Sequence, residues 1–540
     1  MSPKIIRAAA ALACLALLAL SPAAGDQGPP APAPAGPGAE GTLSLSLEEC
    51  IARAVRNNLG LAVEVYGPDI ADATLSIAHE RFMPSLSTSY NKQDTNSASF
   101  SFLDASETVA TLQNDYSFQL SQLMPTGGNL TLGLTGYKTD TSRRFQTINP
   151  RFGNTLRFTF SQPLLRDFGF KVNRRDILVA RNDRAVSERE FEQALEDTAY
   201  GVESAYWNLV YSIENLKVRQ QSLKLARELL ENNRAEIAAG TLPPIEILAA
   251  EADVATREAD ILEAQAMVRN YEDLLKTVIN LQAEVGDAES VRIRPTDEPS
   301  VAAHDLDLDR ALRTAMANRP DLQASRIDLQ TRKLEMSYAR NQTLPDVRLQ
   351  ASYWSPGISG DQILYQDGNA LTGVIIGVIP GGGSDALKDA MGFKYKNWSM
   401  GVTVTLPVNN VLSRAVARRA RLRLEQAQVR LKESEQQALL EIRTAVRTAE
   451  TNFQRIAAYR AARELAQRKL EAEQEKFKVG LSTNYFLLQY QRDLASAQIM
   501  ELRALVDYNI SLANLSRVQG TGVGVIIGDP AAGSAPVAKD

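Results

Sequence analysis

The chain carries one long pattern twice, and that duplication limits its fold more than any other feature. Leu45-Ser46-Leu47, Asn57, Leu61 and Pro84 return as Leu306-Asp307-Leu308, Asn318, Leu322 and Pro345, displaced by 261 positions throughout, from 45 to 306, from 57 to 318 and from 84 to 345. Further on, Gly240 is matched by Gly480 at a displacement of 240. An apolar stripe keeps that second displacement: Ala199, Val202, Tyr206, Leu209, Ile213 and Leu216 against Leu439, Ile442, Val446, Ala449, Phe453 and Ile456. Solenoid repeats have periods of roughly 20–50 residues, so this is one large module duplicated in tandem.

Within each copy the hydrophobic period changes twice. A short helix, Leu47–Asn57 or Leu308–Asn318, precedes a second, Leu61–Phe82 or Leu322–Thr343, which stops at Pro84 or Pro345. Proline has no amide proton to continue a helix and biases its predecessor to extended backbone. Alternation follows: Leu86, Thr88 and Tyr90 against Ser87 and Ser89; Phe118 and Leu120 against Gln119 and Ser121; Leu130, Leu132 and Leu134 against Thr131 and Thr135; Leu156, Phe158 and Phe160 against Arg157 and Thr159. The second copy alternates at Leu349, Ala351 and Tyr353 and at Val402, Val404 and Leu406. Such strands fit a membrane barrel with lipid outside and water inside, and equally a half-buried sheet on a soluble domain. The strand regions end at Pro163 and Pro407, and helix resumes without a proline over Val172–Ala238 and Val411–Lys478. At about 1.5 Å per residue each spans on the order of 100 Å. The stripes quoted above step by three and four, the spacing of a knobs-into-holes seam. Gly240 and Gly480 stand where a capping glycine ends a helix, and returning helices follow at about Ile245–Asn280 and Tyr485–Arg517, with expected seams Leu248, Ala255, Leu262 and Leu488, Ala495, Leu502. Each returning helix is half the length of the long one, so the shorter helix before the strands must cover the remainder.

Residues 1–24 read as a secretory signal, with Lys4 and Arg7 before an apolar run from Ala8 to Leu20. That run is too short to span a bilayer, and no later stretch has the ~20 apolar residues required. Entry into a membrane would therefore be by strands. Residues 25–41 form a Pro/Ala/Gly-rich leader, 42–280 and 306–517 the two repeats, 281–305 a linker and 518–540 a tail. Removal of the signal takes Cys14 with it and leaves Cys50 as the single cysteine, so packing must hold the fold. A net charge of −5 with both signs interspersed offers no basic block for nucleic acid.

Four to six strands cannot close a water-filled barrel, and an open edge is not tolerated in hydrocarbon. The strands must pair between chains, and three copies would supply enough. The whole stretch from Leu45 to Arg517 resembles the outer membrane factor family, the TolC-like trimeric channel-tunnels of Gram-negative bacteria. The likeness rests on the order and duplication of several phrases: Leu45-Ser46-Leu47-Glu48-Glu49 with Ala54 and Asn57-Asn58, Pro84-Ser85-Leu86, Phe160-Ser161-Gln162-Pro163-Leu164, and Val479-Gly480-Leu481-Ser482-Thr483-Asn484-Tyr485-Phe486. The resemblance implies an α+β membrane protein: a homotrimer sharing a transmembrane β-barrel in outer membrane lipid, with a long coiled-coil α-barrel in the periplasm. It also implies docking to a periplasmic adaptor and an inner-membrane pump of RND or ABC type, and export of drugs, small molecules or secreted polypeptides. The competing reading is a structural coiled-coil protein of the periplasm or cell surface.

By this resemblance the Gly240 and Gly480 turns form the periplasmic tip, with Val479-Gly480-Leu481 the docking motif. Ala239-Gly240-Thr241 departs from it in the first copy. Some family members constrict the entrance with acidic residues six and nine positions after the second glycine; here these are Phe486 and Gln489. Glu246, six after Gly240, could supply a carboxylate ring instead, or serve as an ordinary first-turn carboxylate favoured by the helix dipole. Phe486 offers an apolar constriction. The four junction prolines, Pro84, Pro163, Pro345 and Pro407, place both ends of each strand set on one side of the membrane. Two departures stand out: the Pro125-Thr126-Gly127-Gly128-Asn129 turn suggests an added hairpin in the first copy, and Ser355 to Asn397 reads as a long Gly-rich external loop. His79 and His304 are the only histidines, and no metal spacing, nucleophile elbow or phosphate loop occurs, so neither catalysis nor a cofactor is expected.

Overall fold

The computed structural model describes residues 41–522 except 100–103, 105–106, 240–242, 287, 303–305, 407–408 and 480. The expected signal, nearly all of the leader, the tail past 522, and Gly240, Gly480, His304 and Pro407 lie outside the described residues.

Strand β1 (Thr42–Leu45) leads into helices α1 (Leu47–Asn57) and α2 (Leu59–Glu80). Ser46 opens α1 with a reciprocal capping box, its hydroxyl accepting from the Glu49 amide at 3.2 Å while its own amide donates to the Glu49 carboxylate at 3.0 Å. Asn58 closes α1 and caps α2, accepting from the Leu61 amide at 3.0 Å. Strands β2 (Ser85–Ala98), β3 (Thr108–Leu123), β4 (Asn129–Thr141) and β5 (Ile148–Pro163) follow, then the long helix α3 (Arg175–Ala238) and its return α4 (Ile245–Val278). The second repeat has β6 (Arg292–Pro295), α5 (Leu308–Asn318), α6 (Pro320–Asn341), β7 (Asp346–Tyr365), β8 (Ile375–Ile379), α7 (Gly383–Met391), β9 (Asn397–Thr405), α8 (Val411–Lys478) and α9 (Asn484–Gln519). Helix α8 has the bounds read from the sequence. Helix α3 starts three residues later than expected, after a single turn at Phe170–Asn173. There the Asn173 side-chain amide donates to the carbonyls of Asp167 (2.7 Å) and Gly169 (3.0 Å), tying the strand exit to the helix start.

Helix α3 packs along α2 and α4, and α8 along α6 and α9, so two shorter helices flank each long one. The repeats join because α3 also packs on α6 and α9. The main core gathers Cys50, Ile51 and Ala54 of α1, Val202, Tyr206 and Leu209 of α3, Leu275 of α4 and Val506 of α9. A second core repeats it with Ala311 and Ala315 of α5, Ile442 and Val446 of α8, and Leu515 of α9. Burial pushes the Cys50 thiol up to about 12, so the cysteine acts as a small apolar core residue rather than a reactive thiolate.

The stretch expected as a plain linker carries structure. Strand β6 pairs in parallel with β1, Leu43 opposite Ile293. Beneath them the fully buried Tyr206 hydroxyl accepts from the amides of Thr296 (3.1 Å) and Asp297 (3.0 Å) and lies 3.2 Å from the Leu45 carbonyl oxygen. The hydroxyl thereby serves the Asp297 amide, which lies past the end of the strand, whereas the Thr296 amide is shared with the Leu45 carbonyl at 3.1 Å.

Glu203 on α3 is half-buried, and desolvation, with the nearby Glu196 carboxylate as the lesser cause, raises its carboxyl from the usual 4.5 to about 7. A carboxyl raised on folding favours the native state while protonated, so its contribution is complete below about pH 4.5 and is lost as pH rises to about 7. Thermal melts across that window should show Glu203→Gln gaining stability over the wild type as pH rises. Parallel melting curves would remove Glu203 as the cause.

Candidate channel wall and entrance

The strands form one antiparallel sheet ordered β2-β3-β4-β5-β7, with β9 beside the lower part of β7 and the short β8 beside its upper part. The turn between β3 and β4 holds Gly127 at φ 94, a region that favours glycine. A side chain there would also meet the Asp167 carbonyl oxygen. That turn is anchored to the strand–helix junction by the Gly169 amide donating to the Thr126 carbonyl at 3.1 Å. The two repeats are tied at the same level, where the Leu164 amide donates to the Val347 carbonyl at 2.7 Å and Arg166 pairs with Asp346 at 2.5 Å. Pro84, Pro163 and Pro345 thus mark the helical end of the sheet.

Register sorts the side chains by face. Leu86, Leu120, Leu132, Phe158, Tyr353 and Trp398 form one cross-strand row. The adjacent row, Ser87, Gln119, Gly133, Arg157, Trp354 and Asn397, faces the other way. Hydroxyls run across that second face: Ser89 to Ser117 at 2.7 Å, Ser121 to Thr131 at 3.4 Å and Thr159 to Ser352 at 3.4 Å. Arg157 lies over the Trp354 ring, 4.6 Å from its centroid. Near the helical end one surface is greasy from edge to edge, giving way farther along to Lys92, Asn114 and Lys138; the opposite is hydroxyl-rich and wettable.

The region from Ser355 to Asn397 is not the open loop expected. Strand β7 continues through its first quarter, to Tyr365, because the longer β5 offers pairing partners up to Ile148. Helix α7 then folds back over the apolar face. Phe393 stacks with Phe158 and Tyr353 at centroid distances of 6.3 and 5.5 Å, and Gly357 leaves room for the Ala386 carbonyl, which a Cβ would meet at 2.0 Å. Glycine and proline hid the alternation in this segment.

At the far end of the helices, Val479 and Leu481 are 68% and 78% exposed on either side of Gly480. The Leu481 amide donates to the Lys476 carbonyl at 2.9 Å, and Ser482 donates to Glu473 at 2.6 Å, with Lys476 also bonded to that carboxylate at 3.1 Å. These bonds hold the Glu473 carboxyl below its ordinary range, Ser482 being the larger cause. Glu246 faces the second turn of its own chain, accepting from the buried Asn484 side chain at 3.4 Å, so the two tips touch at this point. Phe486 is exposed and meets Tyr485 edge to face at 5.5 Å; Gln489 is half-buried.

A polar cluster that sequence reading missed lies below the tip. Arg257 of α4 pairs with Asp253 at 2.7 Å, donates to the Ser222 carbonyl of α3 at 2.6 Å, and reaches Gln491 of α9 at 3.4 Å. Arg492 stands 3.7 Å from the same aspartate. Burial lowers the Arg257 pKa from its ordinary value. The expected seam of α4 is the wrong face within one chain: Leu248 and Leu262 are 65% and 68% exposed, and Ala250, Asp253, Arg257 and Ala264 are buried instead. The available signal was the Asp253–Arg257 spacing in line with Ala250 and Ala264, masked by the stronger leucine stripe.

Among the described residues, no helix is long and apolar enough to cross a membrane, and no cluster of three or more His, Cys, Asp or Glu side chains is placed to hold a metal ion. A family model described as outer membrane efflux protein matches residues 129–281 and 311–521. No curated protein sequence matches the chain significantly. Solved structures share its fold at low identity. The Campylobacter jejuni CmeC outer membrane channel matches at 18% identity and TM-score 0.63, over 88% of this chain and 86% of its own. The Vibrio cholerae outer membrane protein VceC gives 17% and 0.61, covering 88% and 96%. The open state of the Neisseria gonorrhoeae MtrE outer membrane channel gives 19% and 0.57, covering 88% and 89%.

Proposed function

The chain belongs to the outer membrane efflux protein family, and from that premise we propose that three copies assemble into a passive export duct, its sheet crossing the outer membrane and its helices standing in the periplasm. As a member of a channel family it is not an enzyme. The observation that carries the reading is the two-faced sheet, joined at one end to helices of 64 and 68 residues. Its apolar band nearest the helices is covered by α7 only over β5 and β7, is left exposed from Leu86 to Leu130 and from Trp398 to Val404, and is backed by a hydroxyl-rich surface. A soluble sheet needs a second layer over its apolar face, whereas lipid covers that of a barrel. In this reading residues 42–280 and 306–517 are the two repeats, and the duplicated helices give the periplasmic wall a pseudo-sixfold symmetry.

The tip is the docking site for a periplasmic adaptor, with Val479-Gly480-Leu481 the leading contact; the exposure of Val479 and Leu481 supports this. The entrance narrows at Phe486, with Glu246 and Gln489 beside it and the Gly240 turn completing the rim. Transport energy comes from an inner-membrane pump of RND or ABC type, and the cargo comprises drugs, small molecules or secreted polypeptides.

Purified protein in planar bilayers should give discrete openings. Cysteines at Gln119 and Thr403 should react with hydrophilic thiol reagents and block current, while cysteines at Phe118 and Val404 should resist them. Silent bilayers, or reactivity on the Phe118 face instead, would overturn the channel or its orientation respectively.

A further inference from the structure

Among the described residues the sheet has two unpaired outer edges. Strand β2 pairs on one side only, with β3, and β9 on one side only, with β7. All fourteen residues of β2 are exposed. A tilted strand needs about 9–11 residues to cross a membrane. Six strands reach that length: β2 with 14, β3 with 16, β4 with 13, β5 with 16, β7 with 20 and β9 with 9, whereas β8 has only 5. The family match in the first repeat begins at residue 129, where β4 starts. The matched portion therefore contains β4, β5, β7 and β9, and the hairpin β2–β3 precedes it. That hairpin is no external flap: thirteen cross-strand pairs join β3 to β4, and the connecting turn is fastened to the strand–helix junction.

Resting on the duct reading above, we infer that the added hairpin is part of the barrel wall, and that each subunit interface in the membrane pairs β2 of one copy with β9 of the next. Backbone amides and carbonyls on an open edge cannot be left in hydrocarbon. The two edges suit each other. Strand β2 leaves the helical end at Pro84 and β9 returns to it, so they meet antiparallel. Leu86 on β2 and Trp398 on β9 belong to the same apolar row, so closure keeps grease outside and hydroxyls inside. Three copies of six strands close an 18-stranded barrel. Diameter grows roughly linearly with strand number, so the opening is about 1.5-fold wider than that of a trimer with four strands per copy. The membrane section then admits bulkier cargo, and selection by size falls to the tip.

The test is disulfide scanning of the full-length protein in outer membranes, where the single remaining native cysteine, Cys50, is buried. Cysteines at Ser87, Ser89 or Asn91 are each combined with Ser399, Gly401 or Thr403, and electron cryo-microscopy counts the strands. The expected result is at least one combination that yields covalent trimers, with 18 strands in the wall. Cross-links from β9 to Thr131 or Gly133 of β4, or a 12-stranded wall, would overturn the inference while leaving the duct intact. A protein that is monomeric by mass would overturn both.

Discussion

Asp253→Ala is expected to lower the unfolding free energy by about 3–5 kcal/mol, because it strands the Arg257 guanidinium in a nearly closed site. Asp253 and Arg257 are 8% and 4% exposed, and the arginine bridges three helices. Desolvating two charges is costly, so the pair itself contributes little net stability. The damage comes from removing one partner. Asp253→Leu combined with Arg257→Met should therefore recover most of the loss. Thermal unfolding of the wild type and the two purified variants provides the comparison. A single variant that melts with the wild type, or a double variant no better than the single, would contradict the account. The double variant also asks whether the cluster serves the tip: if its stability returns but protease nicking between residues 222 and 257 stays elevated, the polar clamp positions the coils rather than holding them together.

Tyr206→Ala should be comparably severe, at about 3–5 kcal/mol for a fully buried aromatic. It opens a cavity where α1, α3 and α9 meet and also removes the hydroxyl that accepts from the Asp297 amide, while the Thr296 amide keeps the Leu45 carbonyl at 3.1 Å. Tyr206→Phe separates these effects, since it retains the ring and removes only the hydroxyl, costing about 1–3 kcal/mol. Hydrogen exchange gives the specific readout: the Asp297 amide should lose protection in Tyr206→Phe while the Thr296 amide, still bonded to the Leu45 carbonyl, and the core amides of α3 keep theirs. Unchanged protection at Asp297 would show that the hydroxyl is not what holds the linker.

Much of the helical framework was legible because its signals are local. Ser46 with Glu49, Asn58, and the prolines at 84 and 345 each act on backbone within one or two turns, and α1, α5 and α8 fall where the sequence places them. The strands were legible as two-faced ribbons but not as a sheet. Nothing local says that β5 pairs with β7, about 190 positions away, or that β7 runs on to Tyr365 through Pro356 and Gly357. The tip residues were named by resemblance alone, and the structure sets Glu246 against Asn484. The Asp253–Arg257 cluster escaped because a charged pair at helical spacing ordinarily belongs to a solvated face.

From its sequence alone this protein is committed to a duplicated module, two very long helices each with a shorter escort above and below, and ribbons greasy on one side only. Those follow from proline, capping and periodicity, which act between near neighbours. Tertiary structure decided which strands lie side by side, how many join the one sheet and which side of α4 is covered, because those choices depend on what the rest of the chain brings alongside. The leucine stripe of α4 shows the division: its spacing is written in the sequence, but within one chain Leu248 and Leu262 are left exposed among the described residues, and the buried side carries an ion pair instead.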